Sequence, residues 1–200
     1  MQCAIHAIGD QAIEIVLDVY EKVNKEYPRT NHRHRIEHAA ITNAEIINRM
    51  KDLGVIPIPQ PTLVHYAGDT YVNNLDEKLV EYIFANKTFI DHGLKPAGSS
   101  DNPIVPCSPM LGIYAAMTRE TDQGNVLLPN ERISLFEALS MYTKNAAFAA
   151  FEEDIKGTLE VGKVADMTIL PSGFLEFKPE KIKNTKVEMT IIDGNIVYQQ

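Results

Sequence analysis

A chain of 200 residues can bury a real core, and its 44% hydrophobic and 23% charged content is ordinary for a globular domain. A net charge of −8 leaves no basic stripe to neutralise phosphates, so a nucleic-acid partner is not expected, and no apolar run approaches the length that would cross a bilayer. No secretory leader is visible, and Cys3 and Cys107 are too few for a disulfide framework, so two buried or partly buried thiols and a cytoplasmic location are expected.

Residues 2–8 read as a strand that ends at Gly9 and Asp10. Asp10 then suits the N-cap of a helix over about 10–25, with Ile13, Val16, Leu17 and Tyr20 on one face. A second strand, His34–His38, is followed by a helix over 43–53 whose apolar positions are Ile46, Ile47, Met50 and Leu53, and Gly54 closes it. Val55–Ile58 reads as a third strand. The stretch PQPTLVHYAGDTYVNN after it is expected to be a long loop that covers a site. A helix over about 76–91 ends at Gly93, and Lys95–Gly98 reads as a fourth strand running into Ser99, Ser100 and Asp101.

The pattern changes after Asp101. A proline-rich loop precedes helices at about 108–120 and 134–151, the second with Ser134 and Glu137 at capping-box spacing. From Gly157 onward short β segments dominate, and Asp193-Gly194 between apolar alternations is a hairpin signal. A boundary is therefore expected near 152–157, dividing residues 1–153 from 154–200.

Three positions stand out. His6, His38 and Asp101 each close a short β-prone run, and two imidazoles with a carboxylate are donors suited to zinc and similar divalent ions. Strand C-termini converge on one face of a (β/α) barrel, so residues far apart in sequence meet there. Gln60 and His65 follow the third strand and are candidates to face a substrate; a loop-tying hydrogen bond is an equal reading for Gln60, and a plain surface-loop position is the better reading for His65. His32-Arg33-His34 is a literal His-x-His, but it precedes its strand, and two solvated loop histidines are the better reading. His92 reads as a partner for a helix C-terminus, and Lys163 and Asp166 as residues that hold a turn and a sheet register.

HAIGDQAI at 6–13, HRIEHA at 34–39, PQP at 59–61, GSSDNP at 98–103, SPMLGIYAAMTRE at 108–120 and GTLEVGKVADMTIL at 157–170 together resemble the amidohydrolase superfamily, amidohydrolase family 3. The resemblance implies a distorted (β/α)₈ barrel with a small β-sandwich, and hydrolysis of non-peptide C–N bonds in a small amide-type substrate by one or two divalent metals, with zinc first. It makes His6 and His38 the ligands that end barrel strands 5 and 6. Asp101 becomes the strand 8 aspartate, which binds metal and shuttles the proton. The family's strand 1 His-x-His and strand 4 bridging residue have no counterpart here.

The expectation is therefore an α/β chain equivalent to barrel strands 5–8 plus the C-terminal share of the sandwich, inactive by itself. Its open edges, and an inward face including Ala4, Ile56, Ile58 and Ala97, should drive homo-oligomerisation or association with a missing N-terminal half. The alternative is a non-catalytic half-barrel acting as an interaction or structural protein.

Overall fold

The computed structural model describes all 200 residues. Three strands, β1 (Ala4–Ala7), β2 (Arg35–His38) and β3 (Ile56–Ile58), form a parallel sheet in the order β1-β2-β3. Two helices separate them, α1 (Asp10–Glu26) and α2 (Ala44–Leu53). The register sets Ala7 beside His38, and His6 beside Glu37 beside Ile58. One face of the sheet meets the helices. There Ile36 and Ala7 pack with Ile13, Val16, Leu17 and Tyr20 of α1 and with Ile46, Ile47 and Met50 of α2. These are the apolar positions that helical periodicity selects. Gly9, not Asp10, occupies the N-cap of α1. Asn43 caps α2 through its side chain, and Gly54 ends α2 with φ 65°.

The segment after β3 is a helix, α3 (Pro61–Asn74), not a loop. Its apolar residues do not line one stripe, because Thr62, Leu63, Val64 and Gly68 are all buried. A β-carbon at Gly68 would lie 2.3 Å from Leu127 Cδ1, so glycine permits this close packing. The helix expected over 76–91 is two short ones, α4 (Glu77–Val80) and α5 (Asn86–Asp91). Between them Phe84 takes φ 49°, and the fully buried Arg119 donates to the carbonyls of Ile83 and Phe84.

Lys95–Gly98 forms no strand ladder. Pro96 lacks an N–H, and Gly98 donates instead to Met141 O at 3.0 Å. Two bonds still hold this segment alongside the end of β3: Ala97 N–H to Pro57 O at 3.2 Å and Ser99 N–H to Pro59 O at 3.0 Å. Next come α6 (Pro109–Thr118), α7 (Leu135–Tyr142) and α8 (Lys144–Ala149); the expected 134–151 helix breaks at Thr143. Ser134 and Glu137 do form a capping box.

The α8 region covers the second face of the sheet. Ala146, Phe148 and Ala149 pack on Ile56, Ile58 and Ala97, so three of the four residues expected on an exposed inward face are buried, and only Ala4 is exposed. Arg33 fastens this arrangement. It pairs with Glu153, lies 3.8 Å over the Phe148 ring and donates to Phe148 O.

The C-terminal region contributes β4 (Met167–Ile169), α9 (Pro179–Ile182), β5 (Met189–Ile192) and β6 (Asn195–Gln199), with the three strands in an antiparallel sheet. The expected hairpin turns at Asp193-Gly194, where Ile192 pairs with Asn195. No helix is long and apolar enough to cross a membrane, and the parallel sheet does not close into a barrel.

Candidate metal centre

His6 sits one residue before the end of β1, exposed, in a row with Glu37 and Ile58. Strict alternation would send the His38 side chain to the helix-covered face with Ala7. The backbone prevents this: His38 and Ala39 adopt φ 75° and 46°, a left-handed conformation that non-glycine residues rarely take. The His38 ring meets that of His6 edge-on, with centroids 4.5 Å apart and planes at 78°.

Behind His38 lies Gln60, the residue that precedes α3. Its Oε1 is 2.7 Å from His38 Nδ1, and its Nε2 donates to Ile58 O and to Ser99 Oγ, both at 2.8 Å. Gln60 is 2% exposed, so this amide is engaged inside the protein. Ser99 begins the turn to Asp101, which is exposed, has φ 61° and accepts from Ile104 N–H through its carbonyl.

His6, His38 and Asp101 thus lie at or near the C-terminal ends of β1, β2 and the segment that runs alongside β3. The imidazoles form a close pair, but no three His, Cys, Asp or Glu side chains gather into a group able to hold an ion. The donor chemistry fits zinc as far as it goes: two ring nitrogens, one of them backed by an amide oxygen. Glu37, which sequence reading missed, shares the row of His6. Its carboxylate approaches Arg35 Nε at 3.1 Å, without the alignment of a hydrogen bond. Finding it required the inter-strand register, since alternation within HRIEHA only separates it from His38.

The other singled-out residues lie elsewhere. His65, in α3, bonds through Nδ1 to Glu120 O at 2.9 Å, which ties α3 to the chain after α6. His92 bonds to Thr88 O within the last turn of α5, as expected of a helix-end partner. Lys163 donates to Thr158, and Asp166 accepts from Asp193 N–H at the hairpin, so both hold turns.

The His-x-His reading needs correction. His32 and His34 do lie ahead of β2, but each is only 5% exposed, and the rings stack with centroids 4.4 Å apart. Tyr20 stacks on His34 from α1. Each Nδ1 accepts a backbone N–H, His32 from His34 and His34 from Cys3, both at 3.0 Å. Burial, the largest cause, pushes both imidazoles below the ordinary histidine range, and the Arg29 charge adds to it.

Comparison with known proteins adds the following. The sequence matches the amidohydrolase family over residues 1–198. It is 32% identical over 199 residues to N-substituted formamide deformylase of Arthrobacter pascens, aligning 98% of this chain with 36% of that protein. It is 33% identical over 204 residues to the Bacillus subtilis (strain 168) protein named "Putative amidohydrolase YtcJ", aligning 100% of this chain with 38% of that one. An uncharacterized metal-dependent hydrolase from Pyrococcus furiosus superposes with a TM-score of 0.68 at 32% identity, over 82% of this chain and 32% of its own. An amidohydrolase from Thermotoga maritima MSB8 has a TM-score of 0.66 at 20% identity, a likeness of fold alone. The chain spans a little over a third of the length of the curated relatives it matches, 36% and 38%.

Proposed function

The chain belongs to the amidohydrolase family, and from that premise we propose that it forms part of a metal-dependent hydrolase of non-peptide C–N bonds. The observation that carries this is the His6–His38 pair, 4.5 Å apart at the C-terminal edge of a parallel sheet. The left-handed backbone at His38 speaks against a merely structural half-barrel, because it costs about 1 kcal/mol and serves to turn one imidazole toward another. On this reading β1, β2, β3 and the 95–99 segment are the last four strands of a (β/α) barrel, and the antiparallel sheet is a share of a small β-sandwich.

His6 and His38 would hold the ion through ring nitrogens, zinc being the first choice for such donors. The bound ion would make water acidic enough to attack near neutral pH and would polarise an amide-type carbonyl. Asp101, an exposed residue just beyond the segment that runs alongside β3, would take the proton of the attacking water and return it to the departing amine. The shell needs donors beyond this pair. The free edge of β1, together with the exposed ridge Ile15, Val19 and Val23 on α1, is where further βα units of a longer chain, or a second copy, would dock.

Zinc titration of the metal-free 200-residue protein tests the reading. Binding is expected to be weaker than at a complete zinc site and lost in both His6→Ala and His38→Ala. Turnover of N-substituted formamides by these residues alone should stay at background, because a poorly positioned water costs on the order of 100-fold per 1 Å. Sedimentation of the same sample should show self-association. Zinc binding indifferent to both histidines would end the metal assignment. Strong turnover abolished by His38→Ala would show that the 200 residues are catalytically sufficient.

A further inference from the structure

We propose that Gln60 is a positioning residue that fixes the tautomer and orientation of His38, and not a contact for substrate. The proposal rests on the metal reading above for its purpose, but its geometry stands apart from it.

The assignment follows from which atoms can only accept. Gln60 Nε2 lies 2.8 Å from the main-chain oxygen of Ile58. A carbonyl oxygen cannot donate, so the amide must present its NH₂ on that side, and its second hydrogen reaches Ser99 Oγ at 2.8 Å. The orientation of the side chain is therefore settled by its neighbours. Oε1 then faces His38 Nδ1 at 2.7 Å. An amide oxygen only accepts, so Nδ1 must carry the hydrogen. In a neutral ring this leaves Nε2 as a bare lone pair, the form in which a histidine binds a metal.

A free imidazole prefers the opposite tautomer, with its hydrogen on Nε2. The protein must therefore impose this one, and it does so with a residue that cannot drift. Gln60 is 2% exposed and sits between Pro59 and Pro61. Pro59 O holds Ser99 N–H while the Gln60 amide holds the Ser99 hydroxyl. One side chain thus braces His38 and the start of the turn that carries Asp101.

The test is long-range ¹H–¹⁵N correlation NMR on the full 200-residue chain, metal-free and labelled at histidine, with His38 assigned by its loss in His38→Asn. In the unmodified protein His38 should show Nδ1–H and a bare Nε2. Gln60→Met, of similar length but with no comparable acceptor, should move the hydrogen to Nε2 or mix the two forms. Gln60→Glu keeps an acceptor toward Nδ1 and should retain Nδ1–H, although its second oxygen then faces Ile58 O with no hydrogen to give and the variant should be less stable. On the same samples zinc affinity should fall about 10–100-fold in Gln60→Met and stay within a few-fold in Gln60→Glu. An Nε2–H form of His38 in the unmodified protein overturns the proposal without any variant, and so does an unchanged tautomer in Gln60→Met. If zinc fails to bind while the tautomer pattern holds, the metal reading fails and the assignment of Gln60 stands.

Discussion

His32 and His34 show what burial does to a titratable group when both partners of its ring nitrogen are fixed. Protonating either Nδ1 would set an N–H against an N–H, since each already accepts a backbone hydrogen. Desolvation first, then mutual repulsion at His34 and the Arg29 charge at both, lower these imidazoles, while a backbone contact with Leu53 partly opposes at His32. A base whose folded pKa is depressed takes up its proton more readily when unfolded. Its stabilisation is complete above the unfolded value of about 6.5 and falls as the pH drops below that. The urea midpoint should therefore decline between pH 7.5 and 5.5. His34→Asn should start lower and decline less, and a flat midpoint in the unmodified protein would refute the account. At this scale the sequence reveals chemical type better than environment. His6 and His38 are legible as donors because each closes a β-prone run ahead of a helical pattern. The burial of His32 and His34 is not, because it depends on Tyr20 of α1 and on Cys3 just ahead of β1.

Among the elements, those with a clean stripe and a capping residue are legible, and those shaped by close tertiary approach are not. The expected faces of α1 and α2 are buried as periodicity predicts, whereas α3 hides behind its mixed pattern. The break between α7 and α8 belongs to the second kind. It brings Tyr142 into the space that side chains at residues 98 and 112 would fill. A β-carbon at Gly112 would fall 1.9 Å from Tyr142 Oη, and one at Gly98 would fall 2.8 Å from Tyr142 Cζ. Burial pushes the Tyr142 phenol well above its usual range, in keeping with this seat. Gly112→Ala should therefore destabilise the protein by about 1–3 kcal/mol through overpacking. Gly9→Ala is the control. No atom lies within 4 Å there and φ is −82°, so no clash arises, and the cost should be only that of alanine as a poorer N-cap, about 0.5–1 kcal/mol. Thermal unfolding of the two variants side by side checks both figures.

Across the whole molecule, the division expected near residue 153 falls inside a shared core. Phe174 and Ile182, 5% and 0% exposed, pack with Ile113, Ala116, Leu135, Ala138 and Met141 of α6 and α7. Lys183 lies 4.7 Å over the Tyr114 ring. The last hairpin is different: every residue of β6 is exposed, and Ile192, Ile196 and Val197 are about half exposed or more. The change from helical to β pattern is visible in the sequence. The return of residues 170–183 to the helices is not, because nothing local in LPSGFLEF or PEKIK records a contact with residues as far back as Ile113.

That return decides where the polypeptide tolerates being cut. Ending the chain at residue 153 strips two large side chains from the α6–α7 core, and deleting buried apolar residues of this size costs about 2–5 kcal/mol each, against a total of about 5–15 kcal/mol. Ending it at residue 186 keeps both and discards the hairpin, with its half-buried β5, its exposed β6 and the pairing of β5 with β4. We expect the 1–186 fragment to melt cooperatively close to the intact protein and the 1–153 fragment to lose its cooperative transition. Equal behaviour of the two would mean that Phe174 and Ile182 contribute little to the fold. Limited proteolysis of the intact chain should cut first beyond residue 186, making the stable core of this molecule longer than its change of pattern suggests.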